Sequence, residues 1–374
     1  MIARLISLFA LAMFCMTLGC GESKPAATGD DADLKVTGPY THENLSIFLI
    51  HGPDRLKGKV YLTLGEALEQ KKAVMHETGN VNELAIENQC DQEIYVQSGD
   101  IVKGGRQDRT IAQDFIVPPR SGKMPIAAFC VESGRWQARA GEPVAMFALS
   151  DSNVASKSLK LAAKGEGDQG SVWREVANLQ TNLAENVGGS VQATTSPSSL
   201  QLSLESGKVK QKADDFVKAL EKAPAGKGDV VGYAFSINGK LNSADVYVSN
   251  AFFNKLWPRL LKASAVEAVS QLDEKRADKP ATVADVKACL AAPRDAKSTT
   301  RPVNDRTTVR VYDAKDLVMF ETRDDAPAAA GEWIHRNYLT RDPNEPRQPV
   351  QVQPVPSQQD IINLPGNDAE QQRR

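Results

Sequence analysis

Residues 98–136 read SGDIVKGGRQDRTIAQDFIVPPRSGKMPIAAFCVESGRW. This stretch decides how the rest of the chain is read. Ile94–Val96 is a short β-prone run that ends at Ser98-Gly99-Asp100. Glycines at 99, 104 and 105 mark a loop where the backbone takes positive φ or approaches another group closely. Ile111–Val117 reads as a second strand, stopped by Pro118-Pro119, because proline cannot donate to a ladder. Met124–Val131 is a third apolar run, leading into Glu132, Gly134, Arg135 and Trp136.

Three strands joined by loops with Gly and Arg predict a cradle for an anion. Backbone N–H groups of Gly104 and Gly105 form a nest. Arg106, Arg109 and Arg135 offer planar forks to a phosphate or carboxylate, with Gln107 beside them. The structural alternatives are solvated arginines on ordinary hairpin connections, or an Arg109 buried against Asp100 or Asp114. Gly105-Arg106 stands where a phosphate-binding Walker loop needs Lys and Ser or Thr, so that motif is excluded.

The spacing Gly99-x₄-Gly104-x₂-Gln107-x-Arg109, followed by Cys130-x-Glu132-x-Gly134-Arg135-Trp136, resembles a bacterial domain family. That family is named for its association with ADP-ribosylglycohydrolases and rhodanese-type phosphatases. YLTLGEAL at 61–68 and FFNKLWPRLL at 252–261 are also similar to the family pattern. The resemblance spans most of residues 40–339. The name implies a genomic neighbourhood and no mechanism.

The N-terminus carries an address. Met1–Arg4 is positive, and Leu5–Leu18 is an apolar run shorter than the ~20 residues of a spanning helix but of secretory length. It ends in Thr17-Leu18-Gly19-Cys20, which resembles the lipobox of bacterial lipoproteins, whose cysteine is acylated. The expectation is a signal peptide over 1–19, a lipid on Cys20, a flexible tether over 20–39, and an extracytoplasmic, membrane-anchored protein. The alternative is a secreted protein cut nearby.

Hydrophobic residues make up 41% of the chain and the formal net charge is −2, which suits a folded domain and leaves no basic footprint for a nucleic-acid partner. Apart from Cys15 and Cys20, the cysteines are Cys90, Cys130 and Cys289, so at most one disulfide forms. Cys90 and Cys130 are a candidate pair if their strands are adjacent; buried free thiols are the other reading. The histidines, His42, His51, His76 and His335, are scattered without metal-ligand spacing, so neither metal nor cofactor is expected, and His51 and His335 read as capping or packing groups. Cys130 lies within an apolar run, which argues against a reactive thiol. Asp100 and Asp114 are carboxylates at no defined separation.

The fold expected is α+β. The half over 40–149 is rich in short strands and sandwich- or barrel-like. The segment 150–207 is a linker with one helix, at Val172–Leu183. The segment 208–343 mixes helices with hairpins, and 344–374 is a disordered Gln- and Pro-rich tail. Lys208–Ala223 is an amphipathic helix, and Val230–Val248 is a hairpin turning at Asn238-Gly239, whose residue types suit a type I′ turn. Ala251–Leu272 is a helix with an aromatic stripe that Pro258 should kink or divide. Thr282 caps a further helix, and Thr307–Thr322 is a second hairpin. Trp136 and Trp257 are expected in the core.

The functional expectation is a non-enzymatic binding module for an anionic small ligand. A hydrolase of a nucleotide-derived or phosphorylated compound is the first alternative, and a structural envelope protein the second.

Overall fold

The computed structural model describes residues 33–56, 58–139, 147–153, 156–272, 275–277, 279–326, 332–341 and 350. The expected signal peptide over 1–19, Cys20 and nearly all of the Gln- and Pro-rich tail lie outside them.

The first half is β-rich. It runs β1 (Lys35–His42), β2 (Leu45–His51), β3 (Leu62–Thr63), helix α1 (Leu64–Glu69), β4 (Ala73–Glu77), β5 (Glu83–Asn88), β6 (Ile94–Val96), β7 (Asp100–Gly104), β8 (Arg109–Ile111), β9 (Phe115–Val117), β10 (Gly122–Cys130) and β11 (Phe147–Asn153). A helical stretch follows: α2 (Lys157–Lys160), a π-helical turn at Leu161–Glu166, α3 (Gln169–Asn186), α4 (Leu200–Leu204) and α5 (Gly207–Leu220). The chain then forms β12 (Val230–Ile237), β13 (Lys240–Tyr247), α6 (Asn250–Ser270), α7 (Val283–Ala291), β14 (Lys297–Asn304), β15 (Thr307–Asp313), β16 (Leu317–Asp324) and β17 (Trp333–Thr340). The class is α+β, as the sequence implies.

The strands form three sheets. The largest has the order β1-β2-β12-β13-β17-β16-β15-β14, the second β11-β7-β8-β10-β5-β4, and the third β3-β6-β9. The first sheet corrects the expected division at residue 149. Its strands β1 and β2 come from the N-terminal segment, and β2 pairs directly with β12 along Leu45–His51. The expected tether also ends early, because β1 begins at Lys35. The segment 150–207 holds three helices and a π-helical turn rather than a linker with one helix.

Local sequence explains the element ends. Thr63 accepts from the Glu66 amide and Glu66 reaches back to the Thr63 amide, a capping box that starts α1; Thr282 and Asp285 do the same for α7. Asn238 (φ 51°) and Gly239 (φ 80°) both occupy positive φ between β12 and β13, as an I′ turn demands. Pro258 sits inside α6, yet the helix continues undivided from Asn250 to Ser270. The missing amide bond is offset by packing. Phe252, Phe253, Leu256, Trp257, Leu260 and Leu261 are all buried, and the Trp257 ring meets Tyr233 edge-on at 5.4 Å. Trp136, expected in the core, is instead 41% exposed. Cys90 and Cys130 are both free; the Cys130 thiol donates to the Val81 carbonyl, and burial pushes its pKa up to about 11.

Candidate functional site

The Gly99–Arg109 segment comprises strand β7, a tight loop and the first residue of β8. Two backbone amides of the loop bind carboxylates of the chain itself. The Gly104 amide donates to Asp108 Oδ1 at 3.1 Å, and the Arg106 amide to Glu77 Oε2 at 3.1 Å. Gly105 has φ 55°, and a Cβ there would stand 2.9 Å from Glu77 Oε2, so the close approach of the Glu77 carboxylate requires glycine. Arg109 is wholly buried, with Nη2 3.7 Å from Glu77 Oε1 and Nη1 donating to the Gln107 carbonyl. Its carboxylate partner is therefore Glu77, not Asp100 or Asp114. Gln107 Nε2 donates to the Glu132 carbonyl at 3.1 Å. Arg135 grips Glu132 with two bonds of 2.7 Å, and Arg139 reaches both Asp108 and Glu132. The Arg106 and Arg109 guanidinium groups lie 5.4 and 5.5 Å from the Trp136 ring centroid. These loops are held by internal ion pairs, and the structure commits Gly104, Gln107, Arg109 and Arg135 to them.

A second constellation lies deeper. Asp114, between β8 and β9, is fully buried and accepts four bonds. Oδ1 takes the Ser98 amide at 2.7 Å; Oδ2 takes Lys164 Nζ at 2.7 Å, the Thr322 hydroxyl at 3.0 Å and His335 Nδ1 at 3.2 Å. The other ring nitrogen of His335, Nε2, donates to Asp245 Oδ1 at 3.0 Å, which also accepts from Asn337 Nδ2 at 2.8 Å. Tyr247 stacks on the His335 ring at 4.4 Å, and the Tyr95 hydroxyl lies 3.2 Å from Nδ1.

Two ionised carboxylates facing both ring nitrogens are both satisfied only by an imidazolium. Burial, the largest influence, disfavours the ring's charge, but Asp114 and Asp245 outweigh it and raise the His335 pKa above the ordinary 6.5. Burial likewise pushes Asp114 toward its neutral form; Lys164 and His335 outweigh it and hold the carboxyl far below the usual range. Burial drives the Tyr95 and Tyr247 phenols well above their normal range, so both stay protonated.

The topology explains the meeting. His335 and Asn337 alternate onto one face of β17, and Asp245 comes from the adjoining strand β13, which pairs with β17 at Tyr247↔His335 and Asp245↔Asn337. Lys164 comes from the π-helical turn, a distortion that often accompanies functional sites. Gln113 Nε2 donates to the Lys164 carbonyl at 2.9 Å and ties that turn to the β8–β9 connection.

A polar cavity opens beside this centre. It is lined by Gln97, Ser98, Gly99, Asn153, Lys160, Leu260 and Ala263 together with Asp114, Lys164, Asp245, His335 and Asn337. Its empty space, open mouth included, is ≈ 390 Å³, and the interior is narrow. Arg259 of α6 is paired to Asp100 at 3.1 Å and also donates to Asn153 Oδ1. Lys160, one helical turn before Lys164, lines the cavity; its ammonium makes no hydrogen bond or close ion pair among the described residues, though its charge helps hold the Asp245 carboxyl low.

The fold and its ionic centre define an α+β protein whose most elaborate chemistry is a buried carboxylate–imidazolium–ammonium network. Among the described residues no cluster of His, Cys, Asp and Glu has the geometry to hold a metal ion. The chain belongs to the ARG and Rhodanese-Phosphatase-superfamily-associated Protein domain family, whose model matches residues 33–339. No curated protein and no solved structure matches the chain.

Of the residues singled out in sequence, Asp114 and His335 meet in this centre, whereas Gly104, Gly105, Arg106, Gln107, Arg109 and Arg135 belong to the loop network around Glu77, Asp108 and Glu132. Lys160, Lys164, Gln97, Asp245 and Asn337 were not anticipated. For Asp245 and Asn337 the signal is a charged or amide residue inside a strand, as in SADVY (243–247) and WIHRNYL (333–339); Lys160, Lys164 and Gln97 carry none.

Proposed function

We propose that the chain is a binding module that takes a small anion in the cavity beside Asp114 and His335. We propose further that it is held at the outer face of a bacterial membrane by a lipid on Cys20. Lys160 carries the first reading. Lys160, Lys164 and the imidazolium of His335 face the cavity with only two carboxylates, Asp114 and Asp245, leaving one positive charge in excess. Lys160 is only partly buried, and a cavity lined by more positive than negative groups favours a negatively charged ligand.

Binding fits better than hydrolysis. A general base needs a free lone pair within reach of its proton. Both nitrogens of His335 are committed to carboxylates, and the Cys130 thiol is held protonated by burial.

The test is calorimetric titration of the full chain with acetate and inorganic phosphate, beside Lys160→Gln. The wild type should bind at least one of them. The variant should lose about tenfold or more in affinity with an unchanged melting temperature. Wild-type protein that binds neither of these anions nor a small hydroxycarboxylate such as glycolate, or a variant that binds as well as wild type, removes the site. For the anchor, labelled palmitate should enter the wild type and not Cys20→Ala.

A further inference from the structure

We infer that the anion taken by the cavity is a short hydroxycarboxylate: a single carboxylate with a hydroxyl on the adjoining carbon. This rests on the anion-binding reading above and goes further in naming the ligand class.

Gln97 carries the argument. Its side chain is 95% buried by its 5% exposure, and one end of its carboxamide meets the Tyr247 hydroxyl at 3.0 Å. The other end has no partner and is almost closed off, so a group in the cavity meets it after a small rotation of the carboxamide. It lines the cavity that Lys160 lines. A buried amide end left unmatched is unfavourable, so the cavity lacks one hydrogen-bonding group as well as one negative charge. The two ends of a carboxamide are exchangeable by a flip. A hydroxyl serves either end, since it donates to a carbonyl oxygen and accepts from an N–H. An ammonium serves only the oxygen, and it would add to a positive charge already in excess.

Charge and size narrow the class further. One excess cation calls for one negative charge, which a carboxylate supplies and a phosphate dianion exceeds. Asn153 gives its Oδ1 to Arg259, which leaves its Nδ2 donors for the second carboxylate oxygen. Leu260 and Ala263 form the apolar part of the lining and suit a short aliphatic substituent. The narrow interior leaves no room for a nucleotide.

The experiment is titration calorimetry on the full chain with glycolate and L-lactate, their deoxy counterparts acetate and propionate, glycine, and inorganic phosphate. Glycolate or lactate should bind at least about tenfold more tightly than acetate, propionate, glycine and phosphate. Gln97→Met should bring acetate and glycolate to similar affinity; the wild-type comparison stands alone if that variant does not fold. Equal wild-type affinity for acetate and glycolate, with binding still lost in Lys160→Gln, overturns the hydroxycarboxylate and leaves the anion site intact. Phosphate as the tightest ligand overturns it in the same way. Absence of binding by every anion overturns both readings.

Discussion

Lys164 Nζ lies 2.7 Å from Asp114 Oδ2, and both side chains are almost wholly shut off from water. An ammonium and a carboxylate in that position are costly to desolvate, and their mutual attraction, helped by Thr322 and His335, offsets the cost. Removing one member alone strands the other. Lys164→Met should therefore destabilise the protein by about 3–5 kcal/mol in urea unfolding. Adding Asp114→Asn should recover part of that loss. A Lys164→Met variant as stable as wild type would show that Asp114 does not depend on the pair.

The imidazolium of His335 sets a pH dependence. Its folded pKa is raised above 6.5, so its contribution is fully present below that value and is lost as pH rises through the folded value. Asp114 acts oppositely: its depressed pKa contributes above the ordinary 3.8 and loses as pH falls toward the folded value. From pH 6.5 upward, where Asp114 is ionised in both states, the His335 effect is the one observed. Urea midpoints should fall over that window in wild type more than in His335→Gln. Parallel profiles for the two proteins would mean the ring is neutral in the fold.

The two tryptophans should separate cleanly. Trp257 is 5% exposed, lies among aromatic rings and donates its indole N–H to the Glu221 carbonyl. Trp257→Ala should cost about 3–5 kcal/mol. Trp136 is 41% exposed and covers the Arg106 and Arg109 guanidinium groups. Its replacement by Ala should cost no more than about 1–2 kcal/mol, mostly lost cation–π contact. Denaturant midpoints measured side by side settle the order.

Glu77 occupies the nest of the Gly104–Arg106 loop and faces the buried Arg109. Glu77→Ala leaves that guanidinium without its carboxylate and should destabilise by about 3–5 kcal/mol. Gly105→Ala should destabilise as well, since its positive φ and the nearby Phe147 ring and Glu77 carboxylate leave no room for a methyl group. A rise in melting temperature for either variant would show that the loop is not built around Glu77.

Local signals in the sequence identified individual elements well. Asn238-Gly239, Thr282 and the aromatic stripe of α6 each carry their cause within a few residues. Partners across the chain are less legible. Arg109 reads as an anion fork, but the anion it faces is Glu77, on a strand 32 residues away. Trp136 reads as core because indoles are usually buried, yet it is a partly exposed lid over the guanidinium groups of Arg106 and the buried Arg109. His335 reads as a packing group because its partners Asp114 and Asp245 lie 221 and 90 residues away in sequence. Lys164 sits in a lysine- and glycine-rich stretch that has the composition of a solvated link, and only the π-helical turn carries it inward.

The order of the eight-stranded sheet sets a timetable for synthesis. β2 is made early, but its neighbour β12 begins at Val230, so nearly two hundred residues must be assembled before that edge is covered. Until then LSIFLI (45–50) is an apolar strand with a bare edge, the kind of segment that pairs with whatever it meets. A nascent or truncated chain ending before Val230 is thus adhesive, and completing the chain is what makes the N-terminal strands safe.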